Sequence, residues 1–424
     1  MPSLPIKRAL AQAALALVAS AGAIAFAAVT AAAQNVAELN QRGVEAYDAG
    51  RFEEAVQIFE QAYAQASDQP TIRQNFCNAL QSQANALAQK QDFNAAIGLA
   101  ERAMKVAPEN PSPLVQLGSY YLRLDRVSDA IFRLEEAIEL KPGDLDAHEL
   151  LGKAYYEDND LPSARAQWDY VLQVDPKRPG LQELYDKAFR EESVEWDFRR
   201  KESKNFKLSY PEGVDYTVRG TVLRILEKAY RDIGAQMGKV YPPEPVQVIA
   251  YGSEQFSEAT QLAEHVGAVY DGKIRVPLND ASGAYLSEAE LTRRLTHEYV
   301  HVVVRLVAGP NVPWWVNEGL AEQLSYSMTP ADVEVLTNAY RDGTNFKIED
   351  LDGQVLFTLT PEKLRVAYRQ AHATVSHLWR KYGRTRMQLF LGDLAKGVTV
   401  EASIKQRFNK SLEQLDRDVA GEYR

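Results

Sequence analysis

The chain has 424 residues, more than one ordinary domain holds, and its 46% hydrophobic and 25% charged residues are a globular composition. It carries 48 Lys and Arg against 58 Asp and Glu, and no basic stripe that could neutralise phosphates, which excludes nucleic acid as the main partner. The single cysteine, Cys77, excludes an internal disulfide and a cysteine metal cluster, so any metal must be held by carboxylates and the six histidines.

Residues 1–33 read as a secretory signal. Lys7 and Arg8 precede a charge-free, alanine-rich run that ends in small residues, with cleavage expected after Ala33. An uncleaved anchor is the alternative, but the run is only mildly hydrophobic. No cysteine stands at its end to take a lipid. The expectation is an exported, periplasmic protein without a stable membrane anchor after cleavage.

From about residue 36 the chain repeats. Ala55, Ala96, Ala130 and Ala164 occupy the same slot in four similar segments, and the last two intervals are 34 residues each. Pro108, Pro142 and Pro176 each follow their alanine by twelve residues. Small side chains let paired helices approach, and the prolines stop the second helix of each pair. The first interval, 41 residues, predicts a lengthened helix around "TIRQNFCNALQSQANALAQ". A 34-residue period of this kind resembles tetratricopeptide repeats, about four of them over residues 36–190. The resemblance implies an all-α solenoid whose concave face takes a peptide or protein partner; a spacer or dimer surface is the alternative.

Past Gly180 the rhythm stops. A charged, mostly helical stretch leads to "NFKLSYPEG", a strand ending in a turn. An amphipathic helix follows, with Val222, Ile225, Leu226 and Tyr230 on one face. "VQVIAY" and residues 272–278, "GKIRVPL", read as strands, and Pro277 puts the latter at a sheet edge, where an extended peptide could add. The second half is therefore α+β: a small sheet before a helical C-terminal part.

"THEYVH" carries the chemistry. On a helix, His297 and His301 lie about 40° apart and one turn along, side by side, and can share one zinc ion. Glu298 lies on the same side but is poorly placed as a ligand; it suits a base acting on water held by the metal. Chance yields roughly 0.006 such H-E-x-x-H patterns in a chain of this composition. Gly309 and Pro310 should end this helix near Val307, and Pro313 should start another near Trp314. The arm from His301 to the break is roughly 9 Å, and that from Trp314 to Glu318 roughly 6 Å. An antiparallel return would bring Glu318 to the histidines and leave one coordination position for water. Glu322, one turn on, is the candidate to hold the other ring N–H of a histidine, His297 in particular.

"HEYVH" followed by "PWWVNEGLAE" resembles the gluzincin metallopeptidases, in particular peptidase MA-like domains, over residues 195–424. The resemblance implies zinc held by His297, His301 and Glu318, with Glu298 as catalytic base. It also implies a later Tyr or His that donates to the oxyanion; Tyr368 is the first nomination and His372 the second. The interval between His301 and Glu318 is shorter than in thermolysin.

The remaining singular residues have plainer readings. His148 and His265 are lone histidines, His377 packs or caps inside its helix, and Trp314 and Trp315 fix the interhelical turn by burial or shape a substrate pocket. The leading expectation is an exported zinc metallopeptidase whose repeats recruit its protein substrate or a partner and are separable from catalysis. One alternative is a non-catalytic repeat scaffold or adaptor with a structural or vestigial zinc, against which an unliganded Glu298 speaks. A hydrolase of other amides or esters would use the same chemistry.

Overall fold

The structure is a computed structural model that describes residues 34–262, 267–309, 312–351 and 358–423. The expected signal segment 1–33, the breaker Pro310 and the lone His265 lie outside the described residues. Among the described residues no helix is long and apolar enough to cross a membrane.

The repeats are helix pairs: α1 (34–48) with α2 (Phe52–Gln65), α3 (Pro70–Gln89) with α4 (Phe93–Val106), α5 (Ser112–Arg123) with α6 (Val127–Leu140), and α7 (Leu145–Glu157) with α8 (Leu161–Val174). The four aligned alanines are fully buried where the helices cross. In three pairs the facing position is Gly43, Gly118 or Gly152, where an added Cβ would stand within 3 Å of Phe59, Leu134 or Trp168. Helix α3 has 20 residues against 12 for α5, which accommodates the longer first interval. A further helix, α9 (Leu181–Glu195), follows.

The chain divides into two compact units. One comprises residues up to Leu124 with Asp129–Leu150; the other comprises Asp125–Ser128 with Leu151–Arg424. Among its described residues the second unit contains a five-stranded mixed sheet, ordered β1 (Arg199–Glu202), β2 (Phe206–Tyr210), β3 (Val246–Tyr251), β5 (Ile274–Pro277), β4 (Val269–Tyr270). β2, β3 and β5 run parallel, and the two flanking strands are antiparallel to their neighbours. Helix α10 (Tyr216–Gln236) makes the crossover from β2 to β3, and α11 (Ser253–Thr260) follows β3.

One expectation needs correcting here. The strand around "GKIRVPL" is not the sheet edge. Asp271 and Gly272, the latter at φ 109°, turn the chain so that Val269 and Tyr270 pair with Arg275 and Ile274. An Asp-Gly pair between two short apolar runs is a hairpin signal, and it outweighs the edge preference of Pro277.

Strand side chains alternate between the two faces of the sheet. Phe206 and Leu208, Val246 and Val248, and Ile274 and Val276 share one core with Leu226 of α10 and with α12 (Glu288–Ala308). Helix α13 (Trp314–Ser325) returns against α12, as the Gly309 break and Pro313 start anticipate; Gly309 has φ 79°. Then come α14 (Pro330–Asp342), the long α15 (Pro361–Ala395) with an irregular residue at Gly383, α16 (Val400–Phe408) and α17 (Leu412–Ala420).

Candidate metal centre

Helix α12 opens with Ser287, whose hydroxyl accepts from the Glu290 N–H, and is apolar around its core face at Leu291, Leu295, Tyr299 and Val302. Burial of that stripe fixes the rotation of the helix and sets His297 and His301 toward α13, with ring centroids 4.8 Å apart. From α13, Glu318 places one carboxylate oxygen 3.3 Å from His297 Nε2 and the other 3.6 Å from His301 Nε2. One ligand atom from each of the three residues lies within 4.8 Å of the others.

Each imidazole has its second nitrogen turned away from this cluster. His301 Nδ1 is 3.0 Å from Asn317 Oδ1, so the proton of a neutral ring belongs on Nδ1 and Nε2 is left with a lone pair. His297 Nδ1 lies 3.6 Å from a Glu322 oxygen, an ion-pair distance rather than a hydrogen bond. Glu322 is gripped by Arg369 of α15, and Arg369 also pairs with Asp332 of α14 at 2.9 Å. Asp332 accepts from the Tyr326 hydroxyl at 2.6 Å and from Thr329. Three helices thus converge on the carboxylate beside His297.

Residues 226–421, which include this whole cluster, match the family model described as Peptidase MA superfamily, and residues 115–180 match one described as Tetratricopeptide repeat. The chain carries a Peptidase MA superfamily domain behind tetratricopeptide repeats. Among solved structures, a tetratricopeptide repeat protein from Parabacteroides merdae is 12% identical, over 79% of this chain and 99% of its own, at TM-score 0.33. The first such domain of human RPAP3 is 21% identical, over 27% and 89%, at 0.26. A thermophilic repeat protein of Thermus thermophilus is 20% identical, over 36% and 98%, at 0.23. These low scores leave the repeat assignment to the family match and to the helix pairs themselves. No curated protein matches the chain.

Within the Peptidase MA domain, Glu298 is buried at 5% exposure. Burial, with Glu318 adding to it, pushes its carboxyl up to about 7, against the pull of His301 and Arg293. A carboxyl poised there can take and return a proton near neutrality. Burial also acts to raise Glu318, but His301 and His297 outweigh it and hold that carboxyl below the ordinary range. The two acids therefore differ: Glu318 is held below the ordinary carboxylate range and Glu298 is raised above it.

Tyr368 of α15 packs edge-on against Trp314 at 5.0 Å. Burial and the charges of Glu318, Glu298 and Glu322 hold its phenol well above its ordinary value, so it remains a donor. His372, one turn on, is 3% exposed, its Nδ1 has no hydrogen-bond partner, and burial pushes it down to about 4. His148 and His377 are occupied. His148 Nε2 is 3.0 Å from the Pro142 carbonyl, and His377 Nδ1 is 2.6 Å from Glu422. Trp315 is buried and stacks with Phe390, while Trp314 is half-buried against Tyr368.

Reading the sequence singled out neither Asn317 nor Arg369, nor Asp332, Tyr326 and Thr329 behind them. Asn317 had a signal: it directly precedes Glu318, on the turn that faces His301. Arg369 had none beyond standing next to Tyr368, because its partner lies 47 residues away.

Proposed function

We propose that the protein is a zinc-dependent peptidase whose repeats present a protein substrate or partner to it. The observation that carries this reading is the pairing of a His–His–Glu cluster, its carboxylate held below the ordinary range, with a separate buried carboxyl, Glu298, poised near neutrality beside His297. The donor set fits the metal: two imidazole nitrogens and a carboxylate are the ligands of hydrolytic zinc, which keeps a fourth position open. His297, His301 and Glu318 would hold it. Zinc, when bound, supplies Lewis-acid polarisation and makes water acidic enough to act near pH 7.

The chain's own residues supply the rest. Glu298 takes the proton of the attacking water and hands it to the leaving amine, which a carboxyl poised near 7 does at little cost in either direction. Tyr368, kept protonated, donates to the oxygen on which charge develops. Asn317 orients the His301 imidazole, and Glu322, 3.6 Å from His297 Nδ1, is the acceptor toward which that ring would turn. Export to the periplasm is part of the same proposal and rests on the pattern of residues 7–33.

The deciding experiment compares wild type with Glu298→Gln for zinc content and for new protein termini in cells. Equal zinc near one per chain, with termini generated only by wild type, supports a peptidase. Equal hydrolysis by the two proteins would remove Glu298 as the base, and the proposal with it.

A further inference from the structure

In the second unit the sheet faces two ways. Ile274 and Val276 of β5 join the core that holds Leu295, Tyr299 and Val303 of the metal helix α12. Lys273, just before the strand, and Arg275, between Ile274 and Val276, are each 1% exposed and face the turn after α7 and helix α9 respectively. Arg275 donates to Glu191 of α9 at 2.9 Å and to the Tyr251 hydroxyl at 2.6 Å, and lies 3.5 Å from Glu195. Lys273 donates to Asn159 at 2.7 Å, and its ammonium lies 3.9 Å from the centre of the Tyr156 ring. Along the same face, Asp158 accepts from Lys207 of β2 at 2.6 Å and from Gln247 of β3 at 2.9 Å. Asp271 closes the network, 3.2 Å from Arg275 and 2.8 Å from Lys187 of α9. The apolar part of the face, Ile249 and Tyr251, packs with Val194.

Burying a guanidinium and an ammonium costs several kcal/mol each unless partners compensate. Here most partners come from residues 156–195, which precede the peptidase family match, and the compact unit itself reaches back to Leu151. A deletion to residue 190, harmless if repeats and peptidase are separable modules, would strip Tyr156, Asp158 and Asn159 from this face.

We propose that the last repeat helices are a structural part of the peptidase unit: they brace the sheet on which the metal helix packs, so that loosening α9 loosens the metal site. The link runs through β5, which has the ion network on one face and α12 on the other. It rests on the zinc reading for only one of the two measurements below.

The test uses the full chain and two neighbouring carboxylates of α9. Glu191 reaches the sheet at Arg275, whereas Glu192 pairs with Arg165 of α8, inside the repeat. Glu191→Ala should accelerate amide hydrogen exchange across residues 288–308 at least tenfold and weaken zinc binding at least tenfold in chelator competition. Glu192→Ala should leave both at wild-type values. Wild-type exchange in Glu191→Ala, or equal acceleration by the two variants, would overturn the proposal. If Glu191→Ala does not accumulate, the isosteric Glu191→Gln replaces it; a threefold or larger acceleration supports the brace, and wild-type exchange refutes it. If the wild type binds no zinc, the peptidase reading fails while the exchange measurement still decides this one.

Discussion

Glu318 and His297 face each other across two helices, with carboxylate oxygen and Nε2 3.3 Å apart and His301 Nε2 3.6 Å from the other oxygen. If these three donors hold a metal, as proposed, the metal should stabilise the fold that brings them together. Zinc at about a hundredfold excess over its dissociation constant should stabilise the second unit by about 2.7 kcal/mol. Thermal unfolding with zinc and with chelator measures this. His297→Ala, His301→Ala and Glu318→Ala should each abolish the zinc-dependent shift; an undiminished shift in all three would place the metal elsewhere.

Asn317 should matter for the metal without touching it. Its Oδ1, 3.0 Å from His301 Nδ1, selects the tautomer that leaves Nε2 free. Asn317→Ala should weaken zinc about 10- to 100-fold in chelator competition, and Asn317→Asp, which keeps an acceptor, should recover most of the loss. Equal affinities in wild type and Asn317→Ala would show that packing alone sets the ring.

What could be read from the chain beforehand was local in sequence. The alanine slot and 34-residue period fix the repeats, because helix crossings need small residues at regular intervals. Gly309 and Pro313 fix the ends of α12 and α13, because one supports a positive φ and the other starts a helix. The approach of Glu318 to the histidines follows from those ends and the rise per residue. The unread part depends on which surfaces meet. Arg369 reaches Glu322 from 47 residues away, and Arg275 reaches Glu191 from 84. No periodicity encodes such pairings. A lysine and an arginine within an otherwise apolar strand were the one visible hint, since on a buried face they demand acids from elsewhere.

Tyr368 and His372 make different predictions. Tyr368 retains its proton next to the carboxylates, whereas His372 is neutral and buried with an unpartnered nitrogen. Tyr368→Phe should lower kcat about 100- to 1000-fold at unchanged zinc content, the usual loss for one oxyanion donor. His372→Ala should leave kcat within about threefold of wild type if Tyr368 alone fills that role. The reverse order in single-turnover assays would exchange the two assignments.

Acid should attack the network under the sheet. Burial raises the Asp271 carboxyl, but Arg275 and Lys187 more than offset it and bring it to about 2, below its ordinary 3.8. The folded state therefore holds fewer protons on this group than the unfolded state between those values. Its stabilising contribution is complete above about pH 4 and is lost as pH falls toward 2, amounting to about 2 kcal/mol. The difference in unfolding temperature between wild type and Asp271→Asn should accordingly shrink from pH 5 to pH 2. A constant difference would mean that the side chain acts by shape and not by charge.

Gly319 ties the candidate ligand Glu318 to the helix behind it. A Cβ built there would lie 2.5 Å from the Ala371 carbonyl oxygen and 2.5 Å from Val375 Cγ2, both on α15. The backbone oxygen cannot swing aside as a flexible side chain could, so α13 must move away from α15. That movement would carry Glu318, the preceding residue, out of its position against His297 and His301, and would part Glu322 from Arg369. Alanine favours a helix interior by about 1 kcal/mol over glycine, so propensity alone predicts that Gly319→Ala stabilises the protein. Overpacking costs about 1–3 kcal/mol, and with a fixed carbonyl as the obstacle the upper end of that range applies. The expected outcome is net destabilisation together with weakened zinc binding, read by thermal unfolding and chelator competition on the same sample. A more stable Gly319→Ala protein with wild-type zinc affinity would show that α13 and α15 are less closely apposed than this geometry requires.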